Sequence, residues 1–174
     1  MIAKKSRWVL LGLFVIAVCP LFSQQLFAQA GSGAVAGAWK LISIDRVNAD
    51  GEVIQADEWM GKKPTGLIIY DATSGYMSVQ ILRVPRPNLP YSSEEKADAY
   101  DAYYAYFGTY KVSETEGREG KGREGVVMHH LHGSLRPEEM GNIYHRMFKI
   151  SGNRIMLTTP TLRRLTFERL EKEK

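Results

Sequence analysis

Residues 126–158, VVMHHLHGSLRPEEMGNIYHRMFKISGNRIMLT, decide the fold of this chain. Two strand-like runs flank a polar turn, and a third run follows the tight turn at 151–153. Side chains alternate between the two faces of a strand. The predicted inner face of the first run is therefore Val126, Met128, His130 and His132, and that of the second is Tyr144, Arg146, Phe148 and Ile150. Neither face is purely apolar, which favours a closed sheet around a small pocket over a dry sandwich core.

The first 30 residues are predicted to be a signal peptide. Lys4, Lys5 and Arg7 form a basic start, an apolar run covers 8–18, and 28–30 reads Ala-Gln-Ala, a small-x-small cleavage site. The apolar run is shorter than the roughly 20 residues that cross a membrane. We therefore expect an exported protein, periplasmic or secreted, with no membrane span after cleavage.

The single cysteine, Cys19, lies inside this leader. Val18 precedes it where a lipid-attachment signal needs a small residue, so a lipoprotein is disfavoured. The cleaved chain would then contain no thiol for a disulfide, a nucleophile or a metal.

The charge balance also changes on cleavage. The full chain has 23 Lys and Arg against 19 Asp and Glu. Removing the three bases of the leader leaves 20 against 19, a net charge of +1, which gives no electrostatic footprint for nucleic-acid binding. The expected organisation is a leader at 1–30, a flexible tether at 31–36 and one domain at 37–171, most simply a monomer.

Hairpins dominate the pattern of this domain. A strand at 39–47 meets a turn at 48–51, and the run at 66–82 is two strands around the turn 71–75. The alternation at 76–82 leaves open which of its faces points inward. Counting gives about eight to ten short strands, which indicates an all-β, antiparallel barrel.

One helix is predicted between the strands. Ser92 and Glu95 have the spacing of a capping box, and Gly108 is placed to end a helix that reaches about Phe107. Aromatic residues recur on it at helical spacing, at Tyr100, Tyr103, Tyr104 and Phe107. They either pack on the sheet or form a lid at the mouth of the barrel. The glycine-rich, charged stretch 113–125 is expected to be a solvated hairpin tip.

Several blocks, in order, resemble the lipocalin-like domain family of bacteria and fungi, a calycin-type barrel. The blocks are 37–41 (GAWKL), 66–70 (GLIIY), 75–80 (GYMSVQ), 103–110, 129–130 (HH), 133–135 (GSL), 146–148 (RMF), 157–160 (LTTP) and 167–169 (FER). The resemblance implies that Trp39 plugs the closed end of the barrel and that Arg169 lies over its ring. The family often has an acidic residue where His132 stands.

The cavity of such a barrel is predicted to bind a small, mainly hydrophobic molecule, with an acidic head as one possibility, and no cofactor. An apolar pocket with a few orienting polar groups is the usual composition of a ligand site. The candidate ligand-binding residues are Arg146, His130, Gln80, Tyr76, Tyr70 and Tyr104. His129 is expected to face solvent.

Three other functions stay open. His130 and His132 share a face and could hold a metal ion, although two ligands are half a site. A small enzyme, an isomerase, cyclase or hydrolase, could use His130 with Arg146 and a tyrosine such as Tyr103. A partner-binding module would expose the aromatic residues of 100–107.

Overall fold

The computed structural model describes residues 32–86, 92–115 and 123–171, and its strands follow the predicted hairpins. The strands are β1 Gly37–Val47, β2 Val53–Ala56, β3 Thr65–Tyr70, β4 Tyr76–Leu82, β5 Tyr103–Thr115, β6 Glu124–Ser134, β7 Ile143–Ser151, β8 Arg154–Thr158 and β9 Arg163–Arg169. The helices are α1 Ser32–Val35 and α2 Ser93–Asp101, and short 3₁₀ turns cover Glu58–Met60 and Pro137–Glu139.

The sheet closes on itself. Every neighbouring pair of strands is antiparallel, and the order is β2-β1-β3-β4-β5-β6-β7-β8-β9 with an additional β1–β9 pairing. Among the described strands β2 pairs only with the end of β1, so the other eight of them form the barrel. The predicted all-β, antiparallel barrel is confirmed.

One end of the barrel is plugged. Trp39 is fully buried there, and its indole Nε1 donates a hydrogen bond to the carbonyl oxygen of Val35 at 2.8 Å. The Arg169 guanidinium lies 3.9 Å from the centre of the Trp39 ring, so the expected contact is present. Residues 31–36 were predicted to be a flexible tether. In the structure α1 lies within this segment and buries Ala34 and Val35 in the core. Apolar side chains there gain more from burial than the short chain loses in freedom.

The other end is open and carries four connections. In the described residues these are 48–64 with β2 and the first 3₁₀ turn, 83–86 and 92–102 with α2, 135–142 with the second 3₁₀ turn, and 159–162. Because the strands alternate in direction, these connections all meet at the same end. The rim of the cavity is therefore built from sequence-distant loops.

The predicted helix is too long. α2 begins with the expected capping box, in which Ser92 and Glu95 bond each other's backbone N–H groups, but it ends at Asp101. Tyr103 to Phe107 instead start β5, with Tyr104 and Tyr106 buried and Phe107 exposed. Aromatic residues favour strands, and strand alternation here buries every second one.

Two predicted segments fall outside the described residues. The leader 1–30 does so completely, and the charged stretch 113–125 does so at 116–122. Within the described ranges, neither helix has the length and apolar character needed to cross a membrane.

Candidate functional site

A cavity of about 180 Å³ lies inside the barrel near its open end. Its apolar lining is Trp59, Ile68, Val79, Ile81, Tyr104, Tyr106, Leu157, Leu165 and Phe167. Its polar lining is His129, Arg136, Glu139, Arg146, Thr159 and Arg163. The strands supply the deep residues, and the open-end loops supply Trp59, Arg136 and Glu139.

A buried histidine with two tyrosines forms the polar centre of this cavity. His129 is 1% exposed. Its Nε2 lies 2.7 Å from the Tyr70 hydroxyl and its Nδ1 lies 2.9 Å from the Tyr106 hydroxyl. Both ring nitrogens are therefore used within the protein, which fixes the orientation of the imidazole ring.

His129 is held neutral. Burial, followed by the positive charge of Arg146 and by His130, lowers its pKa to about 3. In a neutral imidazole one nitrogen donates and the other accepts. One tyrosine hydroxyl thus donates to His129 while the other accepts from it. Burial also raises the pKa of Tyr70 and of Tyr106, so both phenols keep their protons.

Arg146 brings a positive charge into this aromatic setting. Its guanidinium lies 4.7 Å from the centre of the Tyr144 ring, and its Nη1 donates to the carbonyl oxygen of His145 at 3.1 Å. None of the ion pairs formed within the described residues involves Arg146. The guanidinium therefore keeps donors for an anion that enters the cavity.

An ion-pair cluster holds one side of the mouth. The Asp57 Oδ2 lies 2.6 Å from the Nε of Arg46 and 2.7 Å from the Nε of Arg163. Burial alone would raise the pKa of Asp57, but the hydrogen bonds from Arg163 and the Trp59 N–H, with the charges of Arg163 and Arg46, lower it. Arg163 also lies 4.6 Å from the centre of the Trp59 ring, so this cluster fixes Trp59 over the cavity.

The other side of the mouth carries Glu139 and Arg136. The Ser134 hydroxyl donates to Glu139 Oε2 at 2.9 Å, and the Tyr104 hydroxyl lies at 3.4 Å from Oε1. The Arg136 guanidinium lies 5.4 Å from the centre of the Tyr104 ring. Burial and the neighbouring Tyr106, followed by Glu139, raise the pKa of Tyr104.

The structure brings together three of the six predicted ligand-binding residues. Arg146 and Tyr104 line the cavity, and Tyr70 lies behind its wall, bonded to His129. Their role in binding a ligand stays a prediction.

Three other predicted residues lie outside the cavity, and their assignment as lining residues is corrected. Tyr76 is 49% exposed and Gln80 is exposed, because β4 turns Met77, Val79 and Ile81 inward. His130 lies on the outer face of β6, since that strand buries Val127, His129 and Leu131 instead. His129 is therefore the inward histidine, contrary to the prediction that it faces solvent.

The residues proposed for catalysis also lie apart from one another. The Tyr103 hydroxyl donates to Gln80 Oε1 at 3.0 Å on the outer wall, whereas Arg146 lies inside the barrel. His130 shares the outer face with His132, whose ring lies 5.7 Å from that of Tyr76. Among the described residues no group of three His, Cys, Asp or Glu side chains is close enough to hold a metal ion.

Sequence reasoning missed several lining residues, namely His129, Tyr106, Trp59, Arg136, Glu139 and Arg163. For Tyr106 a strand signal was present, since Tyr104, Tyr106, Gly108 and Tyr110 alternate as in a strand. The capping box before them favoured a helix instead. For the loop residues the sequence holds no comparable signal, since a loop side chain has no fixed period.

A protein-family model, described as the lipocalin-like domain, matches residues 36–173 of the chain. Searches of curated proteins and of solved structures found no match.

Proposed function

Because this chain belongs to the lipocalin-like domain family, we propose that its barrel cavity binds a small, mainly apolar organic molecule with one acidic group. One observation carries the acidic group: Arg146 places a guanidinium inside an aromatic cavity, and no carboxylate among the described residues forms an ion pair with it. Arg146 is half-buried, so a carboxylate in the cavity would replace water at its guanidinium, and a guanidinium fits a carboxylate through two parallel hydrogen bonds.

The charge count of the lining supports an anionic ligand. Arg136, Arg146 and Arg163 line the cavity with Glu139, and Asp57 pairs from behind with both Arg163 and Arg46. These four arginines against the two carboxylates leave a net charge of +2. His129 is neutral and adds nothing to this balance.

The cavity volume supports a ligand of about one ring. The cavity measures about 180 Å³. An apolar protein cavity of about 150 Å³ accepts benzene. We therefore use benzoate as the test ligand and benzamide, which has nearly the same shape but no charge, as its comparison.

The test is isothermal titration calorimetry with these two compounds, supported by the fluorescence of Trp59 at the cavity wall. We expect benzoate to bind more tightly than benzamide. Arg146→Met should weaken benzoate binding by about thirtyfold, since losing one partner of such a charge pair costs about 2 kcal/mol, the low end of the range because Arg146 is only half-buried. It should leave benzamide binding nearly unchanged.

The matched control is Lys149→Met, which removes a charge from the exposed outer face of the same strand. Its benzoate affinity should equal that of the unchanged protein. Equal loss in the two variants would mean that only the overall charge matters, and unchanged affinity in Arg146→Met would remove Arg146 from the site.

The same geometry supports binding in preference to catalysis. Both nitrogens of His129 are bonded to tyrosine hydroxyls, so neither is free to take a proton from a ligand. A general base needs a free acceptor within hydrogen-bond reach of the proton that it removes.

A further inference from the structure

We infer that the ligand also carries a hydrogen-bond donor, such as a phenolic hydroxyl, on the side opposite its acidic group, and that Glu139 accepts it. This inference rests on the proposed function and specifies its ligand further. The observation behind it is that a carboxylate and a guanidinium, Glu139 and Arg146, line one small cavity without forming an ion pair with each other.

Glu139 has unused capacity to accept hydrogen bonds. Its Oε2 accepts a bond of 2.9 Å from Ser134, its Oε1 has a long contact of 3.4 Å from Tyr104, and the Tyr144 side chain also interacts with it. A carboxylate offers about four acceptor positions. Arg136 precedes Glu139 by three residues, yet none of the ion pairs of the described ranges joins these two side chains.

The backbone holds this carboxylate in place before any ligand binds. Glu139 closes the 3₁₀ turn Pro137–Glu139, and its partner Ser134 ends β6. The Ser134 hydroxyl also accepts a bond of 3.1 Å from the backbone N–H of Arg136. An acceptor that is already oriented adds affinity because little freedom is lost on binding.

The two charged groups lie at different depths. Arg146 is two residues further into the barrel than Tyr144 on β7, and Glu139 lies in the loop before that strand. Two residues of strand span about 7 Å. A ring with its acidic group facing inward and its donor facing the mouth therefore has the orientation that these two depths require.

An organic cation on the aromatic faces fits this cavity less well. Three of the rings around the cavity already carry guanidinium groups of the protein: Arg136 over Tyr104, Arg146 over Tyr144 and Arg163 over Trp59. The carboxylate of Glu139 remains as an acceptor for a donor. A site built around a hydrogen bond discriminates against analogues that leave its polar group unpaired.

The test compares 4-hydroxybenzoate with 4-fluorobenzoate, which has nearly the same size and charge but no donor, by calorimetry. We expect 4-hydroxybenzoate to bind about tenfold more tightly or better, as for a hydrogen bond to a charged group. In Glu139→Gln the acceptor is neutral, and this preference should fall to about threefold or less, because bonds to ionised groups are about twice as strong.

The matched control is Glu138→Gln, which neutralises the neighbouring exposed carboxylate of the same turn and should keep the full preference. Equal affinity of the two ligands for the unchanged protein would overturn the inference, as would an undiminished preference in Glu139→Gln or an equal loss in Glu138→Gln. In each of these cases Arg146-dependent benzoate binding would still support the proposed function. Failure of all three acids to bind would overturn both.

Discussion

At the scale of single residues, the cavity depends on a histidine that the fold keeps uncharged. His129 is bonded by Tyr70 and Tyr106 and lies among groups that disfavour a second proton, Arg146 first among the charged ones. A neutral, doubly bonded imidazole serves as a rigid spacer between two phenols. The cationic character of the site then comes from the arginines, whose charge does not vary over the physiological pH range.

The neutrality of His129 predicts how stability depends on pH. Its folded pKa of about 3 lies below the unfolded value of 6.5, so protons favour the unfolded chain. Its contribution is complete above pH 6.5 and is lost as the pH falls towards 3. Between pH 6.5 and 5 the free energy of unfolding should fall by about 2 kcal/mol from this group.

Urea unfolding at these two pH values measures the loss. His129→Gln should lack this part of the pH dependence, whatever its stability at pH 7. His145→Gln, which replaces an exposed histidine on the outer face of β7, should retain it. An NMR titration that finds His129 protonating near pH 6 would contradict the prediction.

At the scale of elements, the β5–β6 pair decides what the cavity contains. Gly108 pairs with Leu131 and Phe107 with Gly133, so His132 is an additional residue, a β-bulge. The bulge changes the direction in which the last side chains of β6 point, and there the Ser134 hydroxyl donates to Glu139. The acceptor in the mouth is thus a consequence of this irregularity.

The bulge requires glycine at position 108. A Cβ atom there would lie 1.8 Å from the carbonyl oxygen of His130, a backbone atom that has no room to move. Gly108→Ala should therefore lower the free energy of unfolding by about 3 kcal/mol, the upper part of the range for overpacking. Urea unfolding is the measurement.

Gly33→Ala is the control, because a Cβ atom at that position meets nothing within 4 Å. Its stability should stay within about 0.5 kcal/mol of the unchanged protein. If the two alanine variants were equally stable, the β5–β6 register described above would be wrong.

The same pair of strands shows how far sequence reasoning reaches. The hairpins and the inward face of β7, with Arg146 on it, follow from turn residues and alternation. The sequence did not show which face of β6 points into the barrel, because Val126 and Met128 on one face are as apolar as Val127 and Leu131 on the other. Opposed residues of antiparallel strands share a face, so His129 opposite Tyr144 would have settled it, but the loop 135–142 hides that register from the sequence.

At the scale of the whole molecule, the closed barrel has a sealed end, plugged by Trp39, and an open end, which holds the cavity. The β1–β9 pairing sets Trp39 directly opposite Arg169, and α1 packs beneath them. Two of the four connections at the opposite end, 48–64 and 135–142, carry Trp59, Arg136 and Glu139 to the cavity. Ligand specificity can therefore change with the loops while the sealed end keeps the barrel stable.

The sealed end can be tested by removing the cation over Trp39. Arg169→Met loses the contact of 3.9 Å with the indole and the hydrogen bond of 2.7 Å to the carbonyl oxygen of Ala36. A cation–π contact is worth about 0.5–2 kcal/mol and a hydrogen bond about 1 kcal/mol. The free energy of unfolding should fall by about 2 kcal/mol, with an unchanged dependence on urea concentration because the same barrel unfolds. Lys111→Met, an exposed cation of β5, should change stability by less than about 0.5 kcal/mol. An equal effect of the two substitutions would show that the sealed end does not depend on Arg169.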